Sequence, residues 1–204
     1  MKKFFFTAGC FLAGMALQAQ VVSLATVPDS LKKGASVIVH TETINLEVES
    51  LEKASLKTRK LFTVLNEDGK DALLFNEYST KYFTLEDAEI KVYDQSGKQL
   101  EKHKKKDMTT SAVGEGLVED GYVTYYRIQP LSYPVTVEFN TEQKLKSTLS
   151  LPDYRFIHIG EAVVQSSYTA TLPAGMKLLY KGHRCNINPV ITDGEKGKTY
   201  QWTV

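Results

Sequence analysis

Residues 135–149 read VTVEFNTEQKLKSTL, and apolar and polar side chains alternate along most of this segment. Successive side chains of a β-strand point to opposite faces of the sheet. One face therefore carries Val135, Val137, Phe139, Thr141, Leu145 and Leu149. The other face carries Thr136, Glu138, Asn140, Glu142, Lys144, Lys146 and Thr148. The alternation predicts one long strand with an apolar face toward the core and a polar face toward solvent.

A second alternating run follows at residues 162–172, after the breaker Ser150–Asp153. Its predicted core face consists of Ala162, Val164, Tyr168, Ala170 and Leu172, and its solvent face of Gln165, Ser167, Thr169 and Thr171. Strands with one apolar and one polar face are typical of antiparallel sheets that stack on a second sheet. The sequence therefore predicts an all-β fold, an antiparallel β-sandwich of long alternating strands with little helix after the signal peptide.

Residues 1–19 have the parts of a secretory signal peptide. Lys2 and Lys3 form a positively charged start, and Phe4–Leu17 forms a short apolar core. Ala19 supplies the small residue expected just before a cut at Gln20. The apolar core is shorter than the roughly 20 residues that span a bilayer. We therefore expect export to the periplasm, the cell surface or the medium, with no transmembrane span after cleavage.

The charge balance and the cysteine content limit the partners and the chemistry. The chain has 25 basic and 24 acidic residues, and removal of the signal peptide leaves 23 and 24. A nearly neutral protein offers no global electrostatic attraction to nucleic acid. Of the two cysteines, Cys10 leaves with the signal peptide, so Cys185 has no partner for an intramolecular disulfide. The hydrophobic core must therefore hold the fold together.

Two regions follow the signal peptide. Residues 20–35 are interpreted as a leader segment, and residues 36–204 as one β-sandwich accessory domain. The chain ends on Tyr200–Val204, which has the composition of a strand. We therefore expect the domain to end where a further domain would begin.

The individual strands and turns are predicted from local composition. The first strand, Ser36–Glu49, is expected to bulge near Glu42, where its apolar positions change face. Asp71–Thr84 fits either a short helix or an irregular strand. The other predicted elements are a partner strand at Leu56–Leu65, a hairpin around the turn Asp94–Lys98, a loop at Met108–Gly121, and strands at Tyr122–Ile128, Lys177–Lys181 and Thr199–Val204.

No group of residues forms a recognisable catalytic or metal-binding motif in the sequence. His183 and Cys185 stand two residues apart, but Cys–His enzymes place the cysteine at a helix N-terminus and the histidine far downstream. The order here is reversed, so we interpret Cys185 as a half-buried structural residue. The other histidines, His40, His103 and His158, lack the paired spacing of zinc ligands. We therefore predict no catalytic residue, no metal site and no cofactor.

Aromatic residues around Arg127 form the candidate ligand-binding surface. Tyr122, Tyr126 and Arg127 lie within one predicted strand, and tyrosine rings offer a glycan or a peptide both apolar area and a hydroxyl group. Packing in the core or at its rim is the alternative role for these rings. The basic run Lys102–Lys106 is interpreted as a hairpin arm whose lysines protect a sheet edge, with contact to phosphate or anionic lipid as the alternative.

Several segments together resemble one protein family. They are Ala35–Val39, Asp87–Lys98, Asp120–Tyr122, Tyr133–Phe139, Leu151–Asp153, Gln165–Tyr168 and Tyr200–Trp202. In these segments the chain resembles the domain of unknown function that precedes transglutaminase-like catalytic domains in exported proteins of Gram-negative bacteria. The resemblance implies a non-catalytic β-sandwich, followed in such proteins by a domain with a Cys-His-Asp triad. No position of this chain matches that triad, so no functional residue is carried over.

The sequence thus predicts an exported, non-catalytic accessory or binding module. Its expected partners are a peptide or glycan of the cell envelope, or an adjoining catalytic domain. One alternative is a glycan- or peptide-binding domain that uses the tyrosine-rich surface, which a contiguous exposed patch of rings would support. A second alternative is an enzyme whose site is assembled from scattered residues, which a concave pocket with several titratable groups would support.

Overall fold

The structure, a computed structural model, describes Leu24 and residues 27–113, 121–183, 185–195 and 197–204. The signal peptide predicted for residues 1–19 and its cleavage site lie outside these residues. Strands account for 55% of the described residues and helices for 9%, which confirms the predicted all-β class. The helices are an α-helix at Asp29–Lys32 and 3₁₀ helices at Glu67–Leu73 and Lys105–Asp107. None of the helices in this part of the chain is long and apolar enough to cross a membrane.

The strands form two sheets. They are β1 (Val37–Ser50), β2 (Lys53–Val64), β3 (Leu74–Ser79), β4 (Phe83–Tyr93), β5 (Gln99–Lys104), β6 (Thr109–Val113), β7 (Gly121–Arg127), β8 (Val135–Leu145), β9 (Glu161–Val163), β10 (Ser166–Leu172), β11 (Val190–Gly194) and β12 (Gly197–Thr203). The larger sheet has the order β11-β12-β10-β1-β2-β8-β4-β5, and β9 also pairs with β1. The smaller sheet has the order β3-β7-β6.

Most neighbouring strands are antiparallel, as the alternation predicts. The exceptions are β9 and β10, which both pair with β1 in parallel. Parallel neighbours need a long connection, and here the chain runs through seven other strands between β1 and β9. The sequence analysis did not predict these parallel pairs, because the alternation within a strand does not reveal which distant strand lies beside it.

Strand β8 lies in the middle of the larger sheet because its apolar positions match those of both neighbours. Val137 pairs with Phe62 of β2 on one side and with Val92 of β4 on the other. All three belong to a buried hydrophobic cluster that includes Phe75 of the smaller sheet. The Phe139 ring is edge-on to the rings of Phe62 and Phe75, with centroids 5.1 and 5.3 Å apart. The predicted core face of β8 is therefore confirmed here.

A second hydrophobic cluster lies on the same face of the larger sheet, nearer the other end of β8. It contains Leu46 of β1, Leu145 of β8 and Tyr168 of β10. Segments without regular structure pack against it through Leu151, Tyr154, Met176 and Leu178. The two clusters together bury the apolar face of the sheet, which leaves the polar face of its central strands for other roles.

Several boundaries differ from the sequence predictions at points where local composition is weak. The bulge of β1 lies at His40, between Val39 and Thr41, two residues before the predicted Glu42. The predicted loop at Met108–Gly121 contains strand β6, and the remainder, residues 114–120, lies outside the described residues. Strand β6 is short, polar and at a sheet edge, so its sequence carries little alternation.

Three further predictions are corrected near the ends of strands. Leu149 lies beyond the end of β8 and is 98% exposed. Val164 lies in the short segment between β9 and β10, and its side chain is exposed instead of buried in the core. Residues Lys177–Lys181 do not form a strand, whereas the unpredicted β11 does. Within the predicted leader, Val27 is buried, and the helix Asp29–Lys32 contacts β9.

Candidate functional site

The polar groove is a concavity on the face of the larger sheet opposite the hydrophobic clusters. It encloses about 220 Å³ and crosses strands β1, β2, β8 and β4. The side chains that define it are Thr43 and Asn45 of β1, Lys57 and Arg59 of β2, Asn140 and Glu142 of β8, and Asp87 of β4. Every one of them is polar or charged, so the groove suits a polar ligand.

Strand register explains why these side chains meet. Lys57 pairs with Glu142, which pairs on its other side with Asp87. Arg59, two residues after Lys57 on β2, pairs with Asn140, two residues before Glu142 on β8. Paired residues on one face of an antiparallel sheet have Cβ atoms about 4.5–5.5 Å apart. The groove is therefore built on strands whose pairing fixes the side chains relative to one another.

Arg59 and Glu138 form a two-pronged ion pair beside the groove. Nε and Nη2 of Arg59 each donate to one oxygen of the Glu138 carboxylate at 3.2 Å. Nδ2 of Asn140 donates to the same carboxylate at 2.9 Å, and Nζ of Lys91 lies 3.7 Å from it. Burial alone would raise the pKa of Glu138, but these hydrogen bonds and the two cations hold that pKa below its usual value. Glu138 is therefore an anion that fixes the Arg59 guanidinium in place.

The surroundings of Glu138 correct the prediction that its side chain faces solvent. It points away from the core, as the alternation requires, yet it is only 6% exposed. Long side chains from the neighbouring strands, Arg59 of β2 and Lys91 of β4, contact its carboxylate. The polar face of this sheet thus contains a buried charge network that the alternation alone does not reveal.

Replacing Glu138 by Ala is expected to lower the free energy of unfolding by about 1–3 kcal/mol, because it removes several charge-assisted hydrogen bonds. Chemical denaturation measures the change. Glu142→Ala is the matched control on the same strand and face, because the Glu142 carboxylate is more exposed and lies 3.6 Å from Lys57. That substitution should cost about 0.5 kcal/mol or less. Equal losses for the two variants would show that the network around Glu138 does not stabilise the fold.

The charge network continues from β8 toward the edge of the sheet. Glu89 of β4 is 2.7 Å from Nζ of Lys102 and 2.9 Å from Nζ of Lys91. The hydrogen bond from Lys102 is the main reason why the pKa of Glu89 is lowered. Lys102 belongs to the basic run Lys102–Lys106, and β5 is an edge strand of the larger sheet. This placement agrees with the interpretation of that run as a charged edge.

Some side chains of the polar groove are not engaged within the described protein. Thr43 and Asn45 make no side-chain hydrogen bond to another described residue. Oδ1 of Asp87 accepts a hydrogen bond from the backbone N–H of Ala88 at 2.9 Å. No lysine or arginine of the described residues forms an ion pair with this carboxylate. The groove therefore offers a ligand both hydrogen-bonding groups and an anionic group.

A buried polar chain lies further along the same face. Nε2 of His40 is 2.7 Å from Oγ1 of Thr63, which is 2.8 Å from Oγ1 of Thr136. Nδ1 of His40 has no hydrogen-bond partner among the described residues. Burial lowers the pKa of His40, so the ring is neutral at neutral pH. In the sequence, the apolar run Val37–Val39 that precedes this histidine is the signal that it is buried.

Glu77 of β3 is a titratable residue that the sequence analysis did not single out. It lies where the smaller sheet meets the larger one, and its Oε2 accepts a hydrogen bond from Nε2 of Gln143 at 2.8 Å. Burial raises the pKa of Glu77 to about 7. An acidic residue two positions after the core residue Phe75 was the available sequence signal, because residues two apart in a strand share a face.

The structure does not bring the three predicted ligand-binding residues together. The Tyr126 ring packs against the first hydrophobic cluster and contacts His103, with ring centroids 4.3 Å apart. Its hydroxyl group lies 3.2 Å from Nε2 of His103. Tyr122 shares this face of β7 and is 52% exposed, whereas Arg127 projects from the opposite face. Packing at the core rim accounts for Tyr126, and ligand binding by these three residues stays a prediction.

Cys185 and His183 lie in a segment without regular structure that precedes β11. Cys185 is a free, half-buried cysteine, and His183 is exposed. Within the described ranges, no three residues of the His, Cys, Asp or Glu types are grouped as metal ligands would be. Neither residue belongs to the polar groove.

One family and several solved structures are similar to this chain. The family described as a domain of unknown function, DUF3857, matches residues 52–204. A putative protease from Parabacteroides distasonis ATCC 8503 has a TM-score of 0.71 at 10% identity, with 83% of this chain and 35% of that chain covered. At this identity the likeness concerns the fold. The chain thus spans about a third of the length of that protein.

Two other structures show a weaker likeness. Leukotriene A4 hydrolase from Saccharomyces cerevisiae has a TM-score of 0.40 at 11% identity, covering 82% of this chain and 27% of that one. An M1 zinc metallopeptidase from Deinococcus radiodurans has a TM-score of 0.37 at 12% identity, covering 83% and 39%. None of the curated proteins matches this chain in sequence.

Proposed function

The chain belongs to the DUF3857 family, a family of domains of unknown function, and we propose that it is an exported, non-catalytic accessory module that binds a polar ligand in the polar groove. The groove is the observation that carries the proposal. Its side chains project from four paired strands, and sites built on strands hold their geometry better than sites on loops. Thr43, Asn45 and Asp87 are available there to a ligand.

The ligand is a peptide or a glycan of the cell envelope, which is the compartment that the signal peptide implies. Both kinds of chain carry many hydrogen-bonding groups, and the groove presents amide, hydroxyl, cationic and anionic groups to match them. The module acts beside a catalytic domain of the transglutaminase-like kind that the sequence resemblance implies. The fact that the chain spans 35% of the Parabacteroides distasonis protein supports a role within a longer protein.

Binding to an array of envelope peptides and glycans tests this function. Asn45→Trp is expected to fill the groove and to weaken binding at least tenfold. Glu47→Trp is the matched control, because Glu47 is exposed on the same face of the same strand but does not line the groove. Equal binding by both variants and the wild type would contradict the proposed site. Loss of binding on substitution of Tyr122 instead would favour the tyrosine-rich surface.

The same protein is expected to show no thiol-dependent turnover of generic peptide or glutamine-donor substrates. The reason is that His183 precedes Cys185 and that no histidine follows it before Val204. Wild-type protein and Cys185→Ala should therefore give the same background rate. Turnover that disappears in the variant would make Cys185 a nucleophile and the protein an enzyme.

Export is expected to remove residues 1–19. The charged start, the apolar core and Ala19 direct cleavage before Gln20. N-terminal sequencing of the protein recovered from the cell envelope should begin at Gln20. Recovery of the chain from the cytoplasm with Met1 intact would overturn both the cleavage and the location.

A further inference from the structure

The distribution of charge within the polar groove points to a ligand of one chemical class. We propose that the groove recognises a short zwitterionic peptide, whose carboxylate is bound by Arg59 and Lys57 and whose ammonium group is bound by Asp87. This inference rests on the proposed function, because it names the ligand class of the same groove. Three features support it: the orientation of Arg59, the lack of a cationic partner for Asp87 among the described residues, and the distance between the strands that carry them.

Arg59 is oriented for an anion by the groups beneath it. Its Nε and Nη2 contact Glu138, and a guanidinium group has five N–H donors. The remaining donors are left for a ligand, and the side chain is 48% exposed. Because Glu138 already holds the guanidinium, binding a ligand carboxylate there costs the Arg59 side chain little further conformational freedom. A fixed, half-exposed arginine is well suited to carboxylate recognition.

Lys57 supplies a second cation next to Arg59 on the same face of β2. Its ion pair with Glu142 is long, at 3.6 Å, and both side chains are exposed. Such exposed pairs contribute little to stability, so a ligand carboxylate can compete with Glu142 for Lys57. Thr43 and Asn45 of the neighbouring β1 can donate hydrogen bonds to the same ligand group.

Asp87 lies on the opposite side of the groove, on β4. No cation of the described protein pairs with it, whereas Glu89 on the same strand is occupied by Lys91 and Lys102. An ammonium group of a ligand would supply the missing countercharge. The carboxylate is exposed, so a ligand can reach it without displacing any protein group.

The separation of the two charged sides sets the length of the ligand. Strand β8 lies between β2 and β4, and neighbouring strands are about 4.8 Å apart. The backbones that carry the β2 cations and Asp87 are therefore about 10 Å apart. An extended peptide rises about 3.3 Å per residue, so a tripeptide places its terminal ammonium and carboxylate at about this distance. None of the residues lining the groove is aromatic, which favours recognition by charge over stacking on rings.

Isothermal titration calorimetry of the mature protein with trialanine, N-acetyl-trialanine and trialanine amide tests the inference. Wild-type protein is expected to bind trialanine at least tenfold more tightly than either capped form. Lys57→Gln and Arg59→Gln should remove the preference for trialanine over its amide. Asp87→Asn should remove the preference for trialanine over its N-acetyl form. Lys102→Gln, on the same face outside the groove, is the control and should keep both preferences.

Two variants, Arg59→Gln and Lys57→Gln, remove one cation each, so the test remains valid if one of them misfolds. Arg59→Gln deprives Glu138 of its main partner and can destabilise the fold, whereas Lys57 is exposed and its replacement should leave stability unchanged. Equal binding of all three peptides would overturn the inference. If glycans bind and Asn45→Trp weakens them while no tripeptide binds, the inference fails and the proposed function stands. If Asn45→Trp affects no ligand, both fail.

Discussion

Replacing Phe62 by Ala is expected to lower the free energy of unfolding by about 3–5 kcal/mol, the cost of truncating a large side chain in a packed core. Phe62 is 1% exposed and belongs to the cluster between the two sheets. Its ring is edge-on to Phe139, with centroids 5.1 Å apart. The substitution therefore removes buried apolar area, an aromatic contact and the support of a neighbouring ring.

Urea denaturation followed by fluorescence or circular dichroism measures this loss. Leu149→Ala is the control, because Leu149 is 98% exposed, and it should change stability by less than about 0.5 kcal/mol. The sequence alternation places Leu149 on the core face of its strand, so this control tests the structure against the sequence pattern. Similar losses for the two variants would mean that the described packing of the two sheets is wrong.

The second large effect concerns pH. The Glu77 contribution to stability is expected to fall by about 3 kcal/mol as pH rises from about 4.5 to above 7, because each unit of pKa shift corresponds to about 1.4 kcal/mol. Burial raises the pKa of Glu77 from 4.5 to about 7. Between these values the folded protein holds a proton that the unfolded chain has released. The contribution is thus fully present below the unfolded pKa and is lost as pH rises through the folded pKa.

Glu77→Gln isolates this contribution. The amide cannot ionise, so the variant should lack that decline and should be more stable than the wild type at pH 8. His40 acts in the opposite direction, because burial lowers its pKa and stability is lost as pH falls below 6.5. Both proteins retain His40, so the difference between their stabilities at each pH reports on Glu77. A difference that does not vary between pH 4.5 and pH 8 would contradict the burial of this carboxyl group.

The fold class was predictable because it depends on local alternation. The apolar positions of β8, such as Val137, and of β10, such as Ala170, are buried as predicted. The parallel pairing of β1 with β10 was not predictable, since it joins Glu42 to Ser166 across most of the chain. Strand β6 was missed because it consists of small and polar residues at a sheet edge.

The candidate site was much less predictable than the fold. The polar groove exists because strand register places Arg59 beside Asn140 and Glu142 beside Asp87. The sequence of a single segment does not determine its register with a distant strand. Glu138 illustrates the same limit, because the alternation predicts which face of the sheet its side chain lies on but not the cations that contact it there. For Tyr126 the sequence left both ligand binding and packing at the core rim open, and the ring contacts His103 and the first hydrophobic cluster.

Amide chemical-shift mapping on the isotope-labelled mature protein is the most direct test of the central claim that the polar groove binds a ligand of the cell envelope. Titration with trialanine and with envelope peptides and glycans should perturb the amides around Thr43–Asn45, Lys57–Arg59 and Asn140–Glu142, and Asn45→Trp should suppress these changes. Perturbations confined to Tyr122, Tyr126 and Arg127, or none with any ligand, would contradict the claim.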